Sequence, residues 1–269
     1  MKRTWSSSPH RSKALISLAV LISSAASLIS SPSYASRNGV EQPSNTFTVG
    51  INFKFGQVEQ LCSGAMLTPT LVATAGHCAY SATGETGTSY IFTSPGTPLD
   101  AAIDPRVTQP KVIKVFADSQ FSVLDASNFD DIAFLQLDKP VTSKTYLKFA
   151  TREELEQLTA SSPIAGYGYG KVFETGAEYS IFPRKYQLQW TPIDAQTVRT
   201  NTYSLGSALA TPCKGDSGGP IVATLPNGRE VLVGMLSGAN NVQGGCGEKS
   251  SDGLFYFRMT VGYPYLSMI

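Results

Sequence analysis

Histidine is almost missing from this chain of 269 residues. It has two, His10 and His77, and His10 lies in an N-terminal stretch that reads as a removable leader. One further imidazole and four cysteines at these spacings do not form a zinc pattern, so no metal site is expected. Charge is also thin, at 15% Asp, Glu, Lys and Arg with a formal net of +1. No block of Lys and Arg marks a nucleic-acid surface. Past the leader, no apolar run approaches the roughly 20 residues that a membrane-spanning helix needs. Internal repeats and low-complexity linkers are absent as well.

The leader has the order of a secretory signal. Lys2, Arg3, Arg11 and Lys13 supply its positive region, Ala14 to Ile29 its apolar region, and Ser33-Tyr34-Ala35 a small-residue cleavage site. Residues 1–35 are therefore expected to be a signal peptide and 36–45 the start of the mature chain. An uncleaved anchor is the alternative, though the apolar run is short and dotted with serines. Removing the leader's four bases and no acids leaves 17 bases against 20 acids, a net of −3.

What the chain does have is glycine (24) and proline (16) between short apolar runs, the composition of strands joined by turns. Lys111 to Phe116 and Gln187 to Trp190 alternate as strands do. Ala65-Met66-Leu67 and Leu71-Val72-Ala73 read as two strands around a turn at Pro69. Thr151 to Leu158 breaks the pattern as a short surface helix, with Thr151 and Glu154 at capping-box spacing.

The densest signal is Cys213-Lys214-Gly215-Asp216-Ser217-Gly218-Gly219-Pro220. A serine here sits in a turn walled by glycines, which lets backbone approach a substrate closely. The amides of Gly215 and Ser217 are candidates to face a developing negative oxygen. A serine hydroxyl is a poor nucleophile until a base takes its proton, so the motif demands a histidine and an acid to orient it. His77, in Thr74-Ala75-Gly76-His77-Cys78, is the one imidazole outside the leader. The acid is expected in Phe129-Asp130-Asp131-Ile132-Ala133-Phe134-Leu135. Asp131 abuts the apolar strand, whereas Asp130 reads as a solvated turn residue.

These three segments, in the order His, Asp, Ser, resemble those of the trypsin-like (chymotrypsin-fold) serine endopeptidases. Cys62-Ser63-Gly64-Ala65-Met66-Leu67, Gly168-Tyr169-Gly170 and Leu232-Val233-Gly234-Met235-Leu236-Ser237 resemble further family segments, and the resemblance runs from about Thr46 to the C-terminus. It implies an all-β fold of two antiparallel six-stranded β-barrels with the active site in the cleft between them, plus short helices. The peptidase domain would span 46–269, with a first barrel at about 46–150, a second at about 160–262 and a short helix at the C-terminus. His77 and Asp131 would come from the first barrel and Ser217 from the second, with Gly215 and Ser217 forming the oxyanion hole. The resemblance also implies the pairings Cys62–Cys78 and Cys213–Cys246. It implies acyl transfer on protein or peptide substrates without a metal or organic cofactor. Protein protease inhibitors are further expected partners. A monomer is expected, bound to neither nucleic acid nor membrane once the signal is gone, and extracellular, or periplasmic in a Gram-negative cell.

Two matters stay open in the sequence. The substrate pocket would be lined by Thr211, Ser237, Gly238 and Ala239, an open neutral wall that suits a medium or large apolar side chain. A shift around the longer segment ending in Gly253-Leu254-Phe255-Tyr256-Phe257-Arg258 would instead bring Asp252 to the pocket and favour a basic one. Asp216 matches the aspartate that pairs, in the family, with a freshly cut N-terminus, yet Ser36-Arg37-Asn38-Gly39 is not the apolar sequence expected there. Cleavage after Ala35, cleavage after Arg37, or another partner for Asp216 are the alternatives. Catalytically silent binding proteins on this fold form a second functional class. An esterase on the α/β-hydrolase fold fits poorly, because no histidine follows Ser217.

Overall fold

A computed structural model of the chain describes residues 39–55, 58–80, 88–92, 110–117, 131–143, 145–171, 179–188, 201–204, 212–239, 242–243, 246–247 and 254–258. At 55, 58, 88–92, 201–204, 238–239, 242–243, 246–247 and 254–258 it is the backbone that is described.

The strands, in chain order, are β1 (Val40–Glu41), β2 (Thr48–Phe55), β3 (Val58–Thr68), β4 (Leu71–Thr74), β5 (Thr88–Phe92), β6 (Val112–Ala117) and β7 (Ala133–Leu137). The short helix α1 (Arg152–Glu156) follows. Then come β8 (Ile164–Gly168), β9 (Arg184–Leu188), β10 (Asn201–Ser204), β11 (Pro220–Thr224), β12 (Glu230–Ala239), β13 (Val242–Gln243), β14 (Cys246–Gly247) and β15 (Leu254–Arg258). They form an antiparallel six-stranded sheet, β5-β2-β3-β4-β7-β6, and a seven-stranded one, β1-β9-β8-β11-β12-β15-β10, with β13 and β14 paired apart. The all-β, two-sheet architecture expected from the sequence is present. The second sheet has seven strands rather than six because the N-terminal Val40 and Glu41 pair with Lys185 and Arg184. In the first sheet the edge strands β5 and β6 approach each other, so the sheet curls back towards itself. No helix among the described residues is long and apolar enough to cross a membrane.

Period-two side-chain alternation explains which residues fill the two halves. In β2, Val49, Ile51 and Phe53 point inward with Cys62, Met66, Val72 and Leu135. In the second half Ile164, Tyr186, Leu188, Ile221, Val231 and Val233 form an equivalent core. A third cluster joins the halves: Phe47, Ala73, Ile132 and Phe134 from the first pack on Tyr167, Val222 and Met235 from the second. Phe47 meets Tyr167 edge to face at 5.1 Å between ring centroids, the favoured geometry for aromatic quadrupoles. Ile132 and Phe134, wholly buried, contribute roughly 1.5–3 kcal/mol each by their burial. Their position fixes Asp131, the next residue upstream, at the seam.

Helix α1 begins where the capping box puts it. Thr151 accepts the Glu154 amide, and the Glu154 carboxylate accepts the Thr151 amide at 2.9 Å. Leu155 is its one buried residue, so the helix is a surface element of the connection between the sheets.

Candidate active site

Strand β4 is buried along its whole length and ends at Thr74. A single 3₁₀ turn, Gly76–Cys78, follows and presents His77. The turn is tethered by a disulfide from Cys78 to Cys62 of β3, with Cα atoms 6.1 Å apart. Closing a loop of about this length restricts the unfolded chain by ~3 kcal/mol on a chain-entropy account. Cys62, His77 and Cys78 place three potential metal-ligand atoms within 4.8 Å of one another. Because both sulfurs are joined in the disulfide, neither offers the thiolate that binds a metal.

Asp131 grips this turn twice. One carboxylate oxygen accepts the His77 backbone N–H and the other faces ring Nδ1, each at 2.8 Å. Ser237, near the end of β12, donates its hydroxyl to the same oxygen that faces the ring. The side chains of His77 and Asp131 are 22% and 10% exposed, so the pair is shielded while the ring keeps one open edge. Burial disfavours the charged carboxylate, but the His77 charge and the hydrogen bonds from His77 and Ser237 outweigh it and hold Asp131 below the usual carboxylate range. Burial is also the largest influence on His77 and disfavours its cation; the charge and hydrogen bond of Asp131 outweigh it and raise the pKa above 6.5. An ionised carboxylate can only accept a hydrogen bond. The neutral ring therefore carries its proton on Nδ1 and leaves Nε2 as a base.

The turn that carries Ser217 comes from the other half of the molecule and docks against this one. The Ser217 carbonyl accepts the Ser63 amide at 2.8 Å and lies 3.6 Å from Cys78 Sγ. Gly218 has φ +75°, and a Cβ there would strike the Thr74 hydroxyl, the Ser63 carbonyl oxygen at 2.5 Å and the Ala75 nitrogen at 2.7 Å. Ser217 is thus held beside the loop that carries His77, two residues beyond Ala75. Among the described residues the Ser217 hydroxyl makes no hydrogen bond to the ring. Gly218→Ala is expected to cost ~2 kcal/mol or more, since the left-handed backbone alone accounts for ~1–2. Thermal unfolding should show a midpoint lower by about 4 °C or more; an unchanged midpoint would contradict this close docking.

The amides of the turn divide in a telling way. Those of Asp216, Gly218 and Gly219 donate to the carbonyls of Cys213, Leu236 and Asp216 at 2.9, 2.6 and 2.8 Å. Those of Gly215 and Ser217 donate to no partner among the described residues. The turn keeps this shape through Asp216, which is fully buried. Its two oxygens accept the amides of Gly170 and Cys213, both at 2.7 Å. A Cβ at Gly170 would meet those oxygens at 2.5 and 2.6 Å, so the second glycine of Gly168-Tyr169-Gly170 makes room for the carboxylate.

Of the residues singled out in the sequence, His77, Asp131, Ser217, Gly215 and Ser237 are brought to one place. Ser237, expected to line the substrate pocket, meets Asp131. Cys213 is disulfide-bonded. Thr211, Asp130, Asp252, residues 1–38 and the C-terminal helix lie outside the described residues, as do the side chains of Ala239 and Cys246; Gly238 is described by its backbone in β12.

Ser63 is a site residue that the sequence did not announce. Its buried hydroxyl donates to the Gly215 carbonyl and accepts the Tyr169 amide, both at 2.9 Å. The signal was a serine in a segment whose family counterpart has glycine.

The family model described as Trypsin matches residues 36–261. The chain is 28% identical over 241 residues to Serine protease 56 of Mus musculus, covering 85% of this chain and 37% of that protein. It is 27% identical over 197 residues to Coagulation factor IX of Oryctolagus cuniculus, covering 68% and 67%. Serine protease 56 of Homo sapiens is 27% identical over 220 residues, covering 77% and 34%. The chain thus spans little more than a third of the length of either Serine protease 56.

Proposed function

Since the chain belongs to the trypsin family, as its match over residues 36–261 shows, we propose that it is a secreted serine endopeptidase acting through His77, Asp131 and Ser217. The observation that carries this is the doubly held His77–Asp131 pair beside a serine turn whose Gly215 and Ser217 amides are unpartnered among the described residues. Nε2 of His77 takes the proton of Ser217 as Oγ bonds to the peptide carbonyl carbon. Negative charge gathers on the carbonyl oxygen, where the two amides receive it. The imidazolium, stabilised by Asp131, then gives its proton to the leaving nitrogen as the C–N bond breaks. Water, deprotonated in turn by His77, attacks the acyl-enzyme, and the imidazolium returns that proton to Ser217 Oγ as its bond to the acyl carbon breaks.

Further parts of this reading extend beyond the described residues. Cys213 pairs with Cys246, the one cysteine left once Cys62 and Cys78 are joined. The pocket is formed by Thr211, Ser237, Gly238 and Ala239 and takes an apolar side chain, with Asp252 and a basic side chain as the alternative. Residues 1–35 are removed on export.

The test is turnover of casein and of an internally quenched peptide library by the purified mature protein. Cleavage at internal peptide bonds is expected, with the residue before the cut reporting the pocket. Hydrolysis of activated esters without any peptide cleavage would overturn the endopeptidase assignment.

A further inference from the structure

Arg184, at the start of β9, is 1% exposed and among the largest fully buried side chains of the described residues. An arginine is rarely buried unless its charge and its donors are met. Its Nη2 donates to Glu41 Oε1 at 2.8 Å and its Nη1 to the Gly39 carbonyl at 3.1 Å, both in the N-terminal segment. Its Nε donates to Ser180 Oγ at 3.1 Å. Ser180 passes the connection on, because its amide donates to the Gly170 carbonyl at 3.1 Å and the Gly170 amide donates to Asp216. The same stretch presses on the turn directly. A Cβ at Gly215 would meet Tyr179 Cε1 at 2.9 Å and Gly170 Cα at 3.1 Å, and the Lys171 amide holds the Lys214 carbonyl at 2.9 Å. Arg184 also faces Gly168 across the β8–β9 ladder. Burial pulls the guanidinium's pKa down, while the charges of Glu41 and Asp216 act to keep it protonated.

We propose that Arg184 is a positioning residue for the oxyanion-binding turn, joining the N-terminal segment to Asp216 and Gly215 through Ser180, Tyr179 and Gly170. It touches no reacting atom. A turn that carries Gly215 and Ser217 needs segment 179–180 kept against it, and Arg184 holds that segment through Ser180 from a buried position. The assignment rests on the serine peptidase reading and adds to it a buried side chain of the second sheet that ties the N-terminal segment to the turn.

Three variants test it, each measured by steady-state peptide hydrolysis, rate of fluorophosphonate labelling and thermal unfolding. Arg184→Met should lower kcat about 100-fold, the low end of what losing one oxyanion donor costs, with KM within about 3-fold, because substrate binding is not what is lost. Arg184→Lys should recover at least about 10-fold of that; recovery stays partial because one ammonium cannot match the guanidinium's spread of donors. Ser180→Ala, which keeps every charge and cuts the bond from Arg184 Nε together with the hydroxyl's own bond to the Phe182 carbonyl, should lower kcat about 10-fold. Labelling should fall in parallel with kcat. Should Arg184→Met fail to fold, the other two decide. Folded Arg184→Lys and Ser180→Ala proteins with wild-type kcat would overturn the assignment, as would an Arg184→Met protein whose whole loss is in KM. A wild-type chain that neither cleaves nor labels would instead overturn the peptidase reading beneath it.

Discussion

Ser217→Ala is expected to lower peptide hydrolysis by about 10⁶-fold and to move the unfolding midpoint by no more than about 2 °C. The two halves of this expectation have separate causes. In the proposed mechanism catalysis collapses because the Ser217 hydroxyl is the group that bonds to the acyl carbon, and the His77–Asp131 pair then has no proton of Ser217 to take. Stability holds because the hydroxyl makes no hydrogen bond to the protein among the described residues. Its removal leaves no buried group unpaired, and the turn stays anchored through backbone atoms, Asp216 and Ser63. Steady-state kinetics with calorimetry of the same preparation would check both. A variant retaining a hundredth of the activity would place the nucleophile elsewhere.

Asp131→Asn should lower kcat by about 10⁴-fold, the size of the effect in the established triad of this family. An amide in place of the carboxylate can present N–H to His77 Nδ1. The ring proton then moves to Nε2, and the base is lost. The pH profile should change with a definite sign. In the proposed mechanism the base is the neutral His77 ring, whose pKa is raised above 6.5, so kcat/KM should fall as pH drops through a value above 6.5. Without the carboxylate's charge, burial is the influence that remains, and it disfavours the imidazolium. The residual acid limb should move to lower pH. A limb that stays in place would mean that a group other than His77 governs it.

The parts of this arrangement that were legible in the sequence are those specified by near neighbours. Asp131 could be chosen over Asp130 because an apolar strand follows it, and strand β7 does begin at Ala133. Helix α1 was legible from Thr151 and Glu154, three residues apart. What the sequence hid depends on contacts between distant segments. Asp216 takes amides from Cys213, three residues away, and from Gly170, 46 residues away. Arg184 spans 143 residues to Glu41, and its strand position by itself reads as one more alternating residue. The seventh strand of the second sheet is likewise a long-range pairing of Val40 with Lys185. Ser63 differs from glycine by one hydroxymethyl group, and nothing within its own segment says that the hydroxyl reaches Gly215.

Ser63, Asp216 and Arg184 also change how the Ser217 turn is understood. A motif of glycines around a serine reads as permissive backbone, yet the turn is clamped from both halves of the molecule. Ser63 and Thr74 hold it from the first sheet, since Ser63 bonds Gly215 and Ser217 while Thr74 bonds the Ser63 carbonyl at 2.8 Å. Gly170 holds it from the second. Catalysis by preorganised donors requires such fixation, because a donor that must reorganise during the reaction loses its advantage over water.

The central claim is that Ser217 is an activated nucleophile, and one labelling experiment tests it most directly. The purified mature protein, folded by circular dichroism, is treated with a fluorophosphonate at pH 8 and digested for mass spectrometry. One adduct per chain is predicted, on Ser217 and absent from the Ser217→Ala protein. A folded protein that takes no label, or takes it on another residue, would contradict the account and favour a catalytically silent binding protein on this fold.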